Sequence, residues 1–468
     1  MSPRAAASRR LGGETGRPVD LDLTGAWLVD PWAGRSGVAD VVVRSGTIES
    51  IEWTGAASDD DGWADRVVVT PGFTDLHVHL REPGNSAAET IATGIAAAAH
   101  GGFTTVCAMP NTSPPLDGRG AKARFDAAVA AAGSPVRALA YGAASAGRAG
   151  EQLASVGDLA AAGVVGFSDD GSPIRSPALL RNLLAYAGMI GLPVVDHAED
   201  PILSDGAEAN EGVPATILGL KGWPGAAEAS VVARDLAILA DVLRDVPTAR
   251  LHLTHLSTAA SLELVRRAKV DGLPVTCDVT PHHLALTDDW LLGHRTFAWQ
   301  PLRAAPTGPR FDTALKVNPP LRSREDAAAC VAALVDGTAD AIATDHAPHG
   351  EVDKAVEFGL AANGVSGLET ALGVVLELVA AARLSLPRAV EALTKGPDSV
   401  LGATAPRAGF VVGAPADLVV FDPAARWTVT EAALASRGKN TPLLGRSLRG
   451  EVLLTVAGGR LAYEAPPA

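Results

Sequence analysis

The chain has 468 residues, of which 47% are hydrophobic and 20% charged, a composition that excludes a disordered protein and supplies a large core. Its 39 basic and 53 acidic residues leave a net charge of −14, which repels phosphate backbones and anionic lipid and argues against nucleic acid or a membrane as the main partner. At about 150 residues per domain the length allows about three units, or one large barrel with a smaller domain.

Residues 1–20 carry Arg4, Arg9, Arg10 and Arg17 with no apolar stretch behind them, and read as a disordered tail, with a transit peptide the minor alternative. Short β-branched runs follow at Ala26–Val29, Val41–Val43, Thr47–Trp53 and Val67–Val69, with a turn at Ser45-Gly46; they predict β structure. From Pro71 to Leu401 apolar strands alternate with Ala-rich helical stretches, the pattern of a parallel α/β fold. Eight strands are predicted, at Phe73–Leu80, Thr104–Met109, Val136–Tyr141, Val164–Ser168, Pro193–His197, Arg250–Leu256, Pro274–Val279 and Asp340–Thr344. That is the count of a (β/α)8 barrel. A doubly wound open sheet would need a glycine-rich phosphate turn after its first strand, where this chain has histidines. Beyond 402, Asp417–Phe421, Glu451–Val456 and Arg460–Tyr463 read as β again. The expected architecture is a TIM-like α/β barrel over 71–401, flanked by a small composite β domain from 21–70 and 402–468. Cys107, Cys277 and Cys330 are far apart in apolar runs, which predicts no disulfides and no thiolate metal site, and points to a reducing cytoplasm. No apolar run reaches the ~18 residues of a membrane span.

The chemistry is legible in the 11 histidines. His77 and His79 are two apart in a strand and share a face, as two imidazoles gripping one ion must. Asp75 shares that face and is expected to accept a hydrogen bond behind them. The fourth strand ends in Asp169-Asp170, the fifth in His197, the sixth in His252 and His255, and the eighth in Asp345-His346. In a (β/α)8 barrel these C-terminal ends converge on one mouth. Imidazoles and carboxylates without thiolates suit Zn²⁺ with a position open to water. Only one of His252 and His255 can face inward; His255, nearer the strand end, is the expected ligand. Asp169 and Asp170 pose the same choice.

The stretch PGFTDLHVHLREP (Pro71–Pro83) resembles the metal-binding opening of type I dihydroorotases, in the amidohydrolase superfamily. GGFTTVCAMPNT (Gly101–Thr112), GFSDDG (Gly166–Gly171), DHAED (Asp196–Asp200), LTHLST (Leu253–Thr258), DVTPHHL (Asp278–Leu284), KVNPPLR (Lys316–Arg322), ATDHAPH (Ala343–His349) and GLETALG (Gly367–Gly373) extend the resemblance in order over about 65–405. The resemblance implies that His77, His79 and Asp345 bind a first zinc, and His197 and His255 a second. It implies an aspartate bridge where other superfamily members use a carboxylated lysine. The family's spacing of 27 positions before His197 selects Asp170, with Asp169 the alternative; one or two Zn²⁺ per chain are expected.

The implied reaction interconverts L-dihydroorotate and N-carbamoyl-L-aspartate in pyrimidine biosynthesis. Metal-activated water would attack the ring amide, with Asp345 as general base and then acid. His79, Arg81, Asn111 and His349 would contact substrate, the arginine as a bidentate carboxylate clamp. Asn318 would read the ring, and Asn363 and Gly364 would contribute mainly backbone, in place of the family's usual Phe-Gly. A homo-oligomer is expected, with association with aspartate carbamoyltransferase open. The competing readings are an allantoinase- or hydantoinase-like cyclic amidase, and an inactive scaffold for aspartate carbamoyltransferase. His282 and His283 are expected to pack near the mouth, and His346 to support Asp345. The stretch 286–315 is longer than in the family and reads as a lid, an oligomer contact or a self-packed insertion.

Overall fold

The structure is a computed structural model that describes residues 14–55, 62–406 and 409–466. Barrel strands one to three, Phe73–Val78, Phe103–Ala108 and Arg137–Ala140, form one parallel sheet. Strand three continues as Gly142–Ala143 into a second sheet with Phe167–Ser168, Val194–Asp196, Leu251–Leu253, Val275–Val279 and Ala341–Ile342. A parallel bridge between Val78 and His346 joins the first strand to the end of the eighth. Buried side chains on or beside six of the strands, among them Leu76, Cys107, Tyr141, Val165, Val195 and Ala341, form one cluster, which they do by filling the barrel interior. Helices between and after the strands start where the sequence supplies capping hydroxyls: Thr90, Ser176, Thr258, Ser323 and Ser385 each accept a backbone N–H of the first turn.

All eight expected barrel strands are present, but most are shorter than expected. The fourth, sixth and eighth pair over two or three residues. Three of the residues at the mouth explain part of this: Arg81, His255 and Asp345 have φ of 58°, 41° and 46°. A strand cannot propagate through left-handed backbone, so these chains leave the sheet where they present their side chains.

Both ends of the chain build one seven-stranded sheet. Val68–Pro71 is the seam, parallel to Leu21–Asp30 and antiparallel to Leu418–Thr428. The expected tail is corrected from residue 14 onward. Gly16 donates to Leu461 O at 2.8 Å, Pro18 bridges Arg460, and Val19 is buried in the sheet's own core; residues 1–13 lie outside the described residues. Arg137 in barrel strand three reaches Asp417 with two hydrogen bonds, 2.9 and 3.3 Å, and ties barrel to sheet.

The stretch 286–315 packs on itself and on the segment 427–448. Trp290 is buried and donates to Thr296 O; Phe297 stacks on Trp299 and carries the Arg446 guanidinium 3.9 Å above its ring.

The turn Ser45-Gly46 meets the turn Gly458-Gly459 face to face. Gly46 (φ 79°) and Gly459 (φ 77°) are both left-handed, and a Cβ on either would lie 2.5 Å or less from the other's carbonyl oxygen. Gly46→Ala or Gly459→Ala is therefore expected to lower stability by roughly 2–4 kcal/mol, backbone strain and overlap combined, read by denaturant unfolding. Stability unchanged in both would show that the two ends are not held together at this point.

Candidate active site

Four imidazoles and two carboxylates meet at the C-terminal mouth of the barrel. His77 and His79 approach Nε2 to Nε2 at 3.3 Å, and Asp345 Oδ1 lies 3.4 and 3.1 Å from them. His197 Nδ1 and His255 Nε2 form the second pair, 3.0 Å apart. Asp170 stands between the pairs. Its Oδ2 is 3.1 and 3.5 Å from His77 and His79, and its Oδ1 is 3.5 and 3.4 Å from His197 and His255. Asp169 points elsewhere, accepting the Ala144 and Ser145 backbone N–H groups at 3.0 Å and the Ser145 hydroxyl.

All six groups are buried. Burial works against the His77 imidazolium, yet the charges of Asp170 and Asp345 outweigh it and push its pKa up to about 9. Burial likewise opposes the Asp170 and Asp345 carboxylates, but the neighbouring histidines hold both below the usual range. Such a cluster calls for a cation. His77, His79 and Asp345 can hold one divalent metal, and so can His77, Asp170 and His255, each set offering its ligand atoms within 4.8 Å of one another. The donor chemistry, imidazole and carboxylate, fits a metal of intermediate softness.

A cavity of about 220 Å³ opens on this cluster, lined by His79, Arg81, Asn111, Asp170, Gly171, His197, His255, Asn318, Asp345, Ala347, His349, Asn363 and Gly364. Every expected site residue except His77, which lies behind, is on that wall. The space is smaller than the ~300–1,000 Å³ pockets of drug-sized ligands and suits a single small ring. Arg81 donates from Nε to Pro348 O at 3.1 Å, and its Nη2 lies 3.2 Å from His349 Nε2. Burial, then the Arg81 charge, lowers the His349 pKa to about 4. Asn111 Oδ1 accepts from His79 Nδ1 at 3.0 Å, which leaves its amide N–H free to donate.

Behind this wall stand supporting residues, of which Asp278, Thr254, Glu199 and Asn440 were passed over in the sequence. Asp278, fully buried, accepts from His252 Nε2 (2.8 Å), the Thr254 hydroxyl (3.2 Å) and the His255 backbone N–H (2.6 Å). Thr254 Oγ1 in turn accepts from His77 Nδ1 at 2.8 Å. Asp75 takes the backbone N–H groups of His77 and Thr344 and the Thr344 hydroxyl; it anchors strand one to strand eight rather than touching an imidazole. Glu199 accepts from His197 Nε2 at 2.8 Å and from Asn318 Nδ2 at 2.9 Å. Burial opposes its charge, but the hydrogen bond and charge of His197 lower its pKa to about 2. Asn440 accepts the His349 N–H and donates to Ala347 O and Gly364 O. Glu199 could have been found by parity, two residues after His197; Asn440 had no signal, being remote in sequence. His283 bonds Thr280 and Pro319 O, and His346 bonds Glu89 and takes the Gly367 N–H, supporting roles both.

A family model described as Dihydro-orotase-like matches residues 65–261. A dihydroorotase of Anaeromyxobacter dehalogenans is 48% identical over 448 residues, covering 95% of this chain and 98% of that protein. One from Pelotomaculum thermopropionicum is 45% identical over 451 residues, covering 95% and 99%. Among solved structures, an L-hydantoinase of Arthrobacter aurescens superposes with TM-score 0.77 at 24% identity, over 95% of this chain and 96% of that one. A dihydropyrimidinase of Brevibacillus agri superposes with TM-score 0.76 at 20% identity, over 95% of each. These two likenesses establish the fold alone.

The two adjacent aspartates are separable by experiment. Asp170→Asn is expected to weaken Zn²⁺ binding to the apoprotein by at least ~100-fold, in a competition titration against a chromogenic chelator. Asp169→Asn should leave that affinity within ~10-fold while lowering apoprotein stability by ~1–3 kcal/mol. Equal losses of affinity would remove the distinction.

Proposed function

The chain belongs to the dihydroorotase family, and we propose that its barrel mouth interconverts L-dihydroorotate and N-carbamoyl-L-aspartate, the cyclic-amide step of pyrimidine biosynthesis. One observation carries this reading: two buried imidazole pairs share Asp170 beside a small cavity whose lining includes the Arg81 guanidinium. The first is the equipment of a metal hydrolase; the second recognises an anionic ring.

We assign one or two Zn²⁺ per chain to His77, His79, Asp170, His197, His255 and Asp345, with Asp170 as the bridge if two bind. Bound there, zinc would lower the pKa of water towards ~7 and polarise the ring carbonyl. The chain's own residues do the rest. Arg81, Asn111 and His349 hold the substrate carboxylate, and the backbone of Asn363 and Gly364 closes that end. Asn318 faces the ring. Asp345, against the scissile amide, accepts the proton of the attacking water and returns it to the leaving ring nitrogen. In the biosynthetic direction the same carboxyl group works in reverse.

An allantoinase or hydantoinase reading leaves Arg81 without a task, because those substrates carry no carboxylate there. A scaffold role would leave the six-residue cluster unexplained. The same reading places the enzyme in the cytoplasm, as a homo-oligomer that can associate with aspartate carbamoyltransferase. Three buried, free cysteines support a reducing compartment, and no described helix is long and apolar enough to cross a membrane.

Turnover of L-dihydroorotate, compared with allantoin and dihydrouracil on the zinc-loaded protein, tests the assignment; preference for either of the latter would overturn it. Asp345→Asn is expected to lower kcat by at least ~100-fold. Arg81→Lys should raise KM by roughly 10–100-fold with a smaller change in kcat, since it loses one of two charge-assisted hydrogen bonds. An Arg81→Lys enzyme with unchanged KM would take the clamp away from this residue.

A further inference from the structure

Several buried carboxylates lie close behind the cluster without facing it. Asp75, Asp278 and Glu89 bind backbone or groups outside the cavity wall. Glu199 differs, because it touches two side chains of the wall itself. Its Oε2 lies 2.8 Å from His197 Nε2 and 2.9 Å from Asn318 Nδ2. Its Oε1 takes the Ser204 hydroxyl, and Ser204 donates its backbone N–H to Asp200 O at 3.0 Å, so the carboxylate is held from behind.

The chemistry of a carboxylate makes this contact directional. An ionised carboxylate only accepts, so both partners must donate to it. His197 then carries its proton on Nε2 and turns an unprotonated Nδ1 towards His255 and Asp170. Asn318 turns its N–H to Glu199, which leaves Oδ1 for the cavity it lines. An unsupported asparagine could present either end, since the two differ little in shape. With Glu199 in place the wall at Asn318 offers an acceptor, which matches the N–H groups of a dihydropyrimidine ring or of the open-chain ureido group.

We propose that Glu199 is a positioning residue that fixes the His197 tautomer for the metal and the Asn318 amide for a substrate N–H, so that one carboxylate sets the second imidazole pair and the ring-recognising wall together. The substrate half rests on the dihydroorotase reading; the metal half does not.

Two measurements on the full chain test it. Zn²⁺ titration of the apoprotein reads the His197 contact. Glu199→Ala is expected to weaken zinc binding by about 10–100-fold. Steady-state kinetics with L-dihydroorotate read the Asn318 contact. Glu199→Ala should raise KM about 10-fold, but less than ~2-fold in an Asn318→Ala background, because the amide it orients is gone. Glu199→Gln, which keeps the packing and an acceptor oxygen, should recover most of both losses; if Glu199→Ala fails to fold, Glu199→Met, which keeps the packing without an acceptor oxygen, replaces it in both measurements. Native zinc affinity in Glu199→Ala, or equal KM rises with and without Asn318, overturns the proposal. If the parent protein ignores dihydroorotate, the substrate half falls with the function, while the zinc titration still decides the metal half.

Discussion

Bringing four imidazoles and two carboxylates into one water-poor space is the constraint on which this molecule turns. Ionised groups lose solvation there, and the loss is offset only when each charge finds an opposite charge or a hydrogen bond. Asp170 sits at the balance point: each of its oxygens faces a different imidazole pair, and its neighbours outweigh the effect of burial. The rest of the barrel mouth can be read as the means of holding these groups close enough for a cation to bind.

The holding is done by residues that never face the cavity. Asp278 draws together His252, Thr254 and the backbone of His255, and through Thr254 it orients His77. Asp75 fastens strand one to strand eight, so the residues that carry His77 and Asp345 move as a unit. Left-handed backbone at Arg81, His255 and Asp345 is strain of the kind that persists only where surrounding contacts fix it. For His255, the Asp278 contact to its own N–H is such a fix. The short barrel strands are thus the other face of the same arrangement: ladder hydrogen bonds give way to side-chain ones at the strand ends.

Much of this was legible in the sequence because strand parity and barrel convergence are geometric rules. His77 with His79, and the choice of His255 over His252, follow from which residues can face inward at a strand end. The Asp169–Asp170 pair was harder, since adjacent residues differ only in direction; the structure separates them by giving Asp169 the Ser145 turn to bind. The sixth strand was overread because its apolar run reaches Leu256, past the point at His255 where the backbone turns left-handed. The order of residues 14–20 was invisible because their partners, Leu461 and Arg460, lie at the other end of the chain. The insertion at 286–315 could not be placed for the same reason: its aromatic residues pack against Arg446 and the segment around it.

That long-range dependence changes how the C-terminal part of the chain should be regarded. Its strands complete a sheet remote from the chemistry, yet the stretch between two of them returns to the barrel mouth. Asn440 holds His349, Ala347 and Gly364 in one network. Ser436 and the Arg437 backbone N–H bind Glu89, the partner of His346. The cation-bearing wall of an otherwise acidic protein is therefore shaped from outside the barrel. The net charge of −14 describes the surface as a whole; an anionic ligand would meet instead the local field of Arg81 with a largely neutral His349 beside it. A barrel lacking the segment from 427 to 448 would keep its six ligand-type residues in sequence, but it would lose the contacts that hold the carboxylate end of the cavity in register with them.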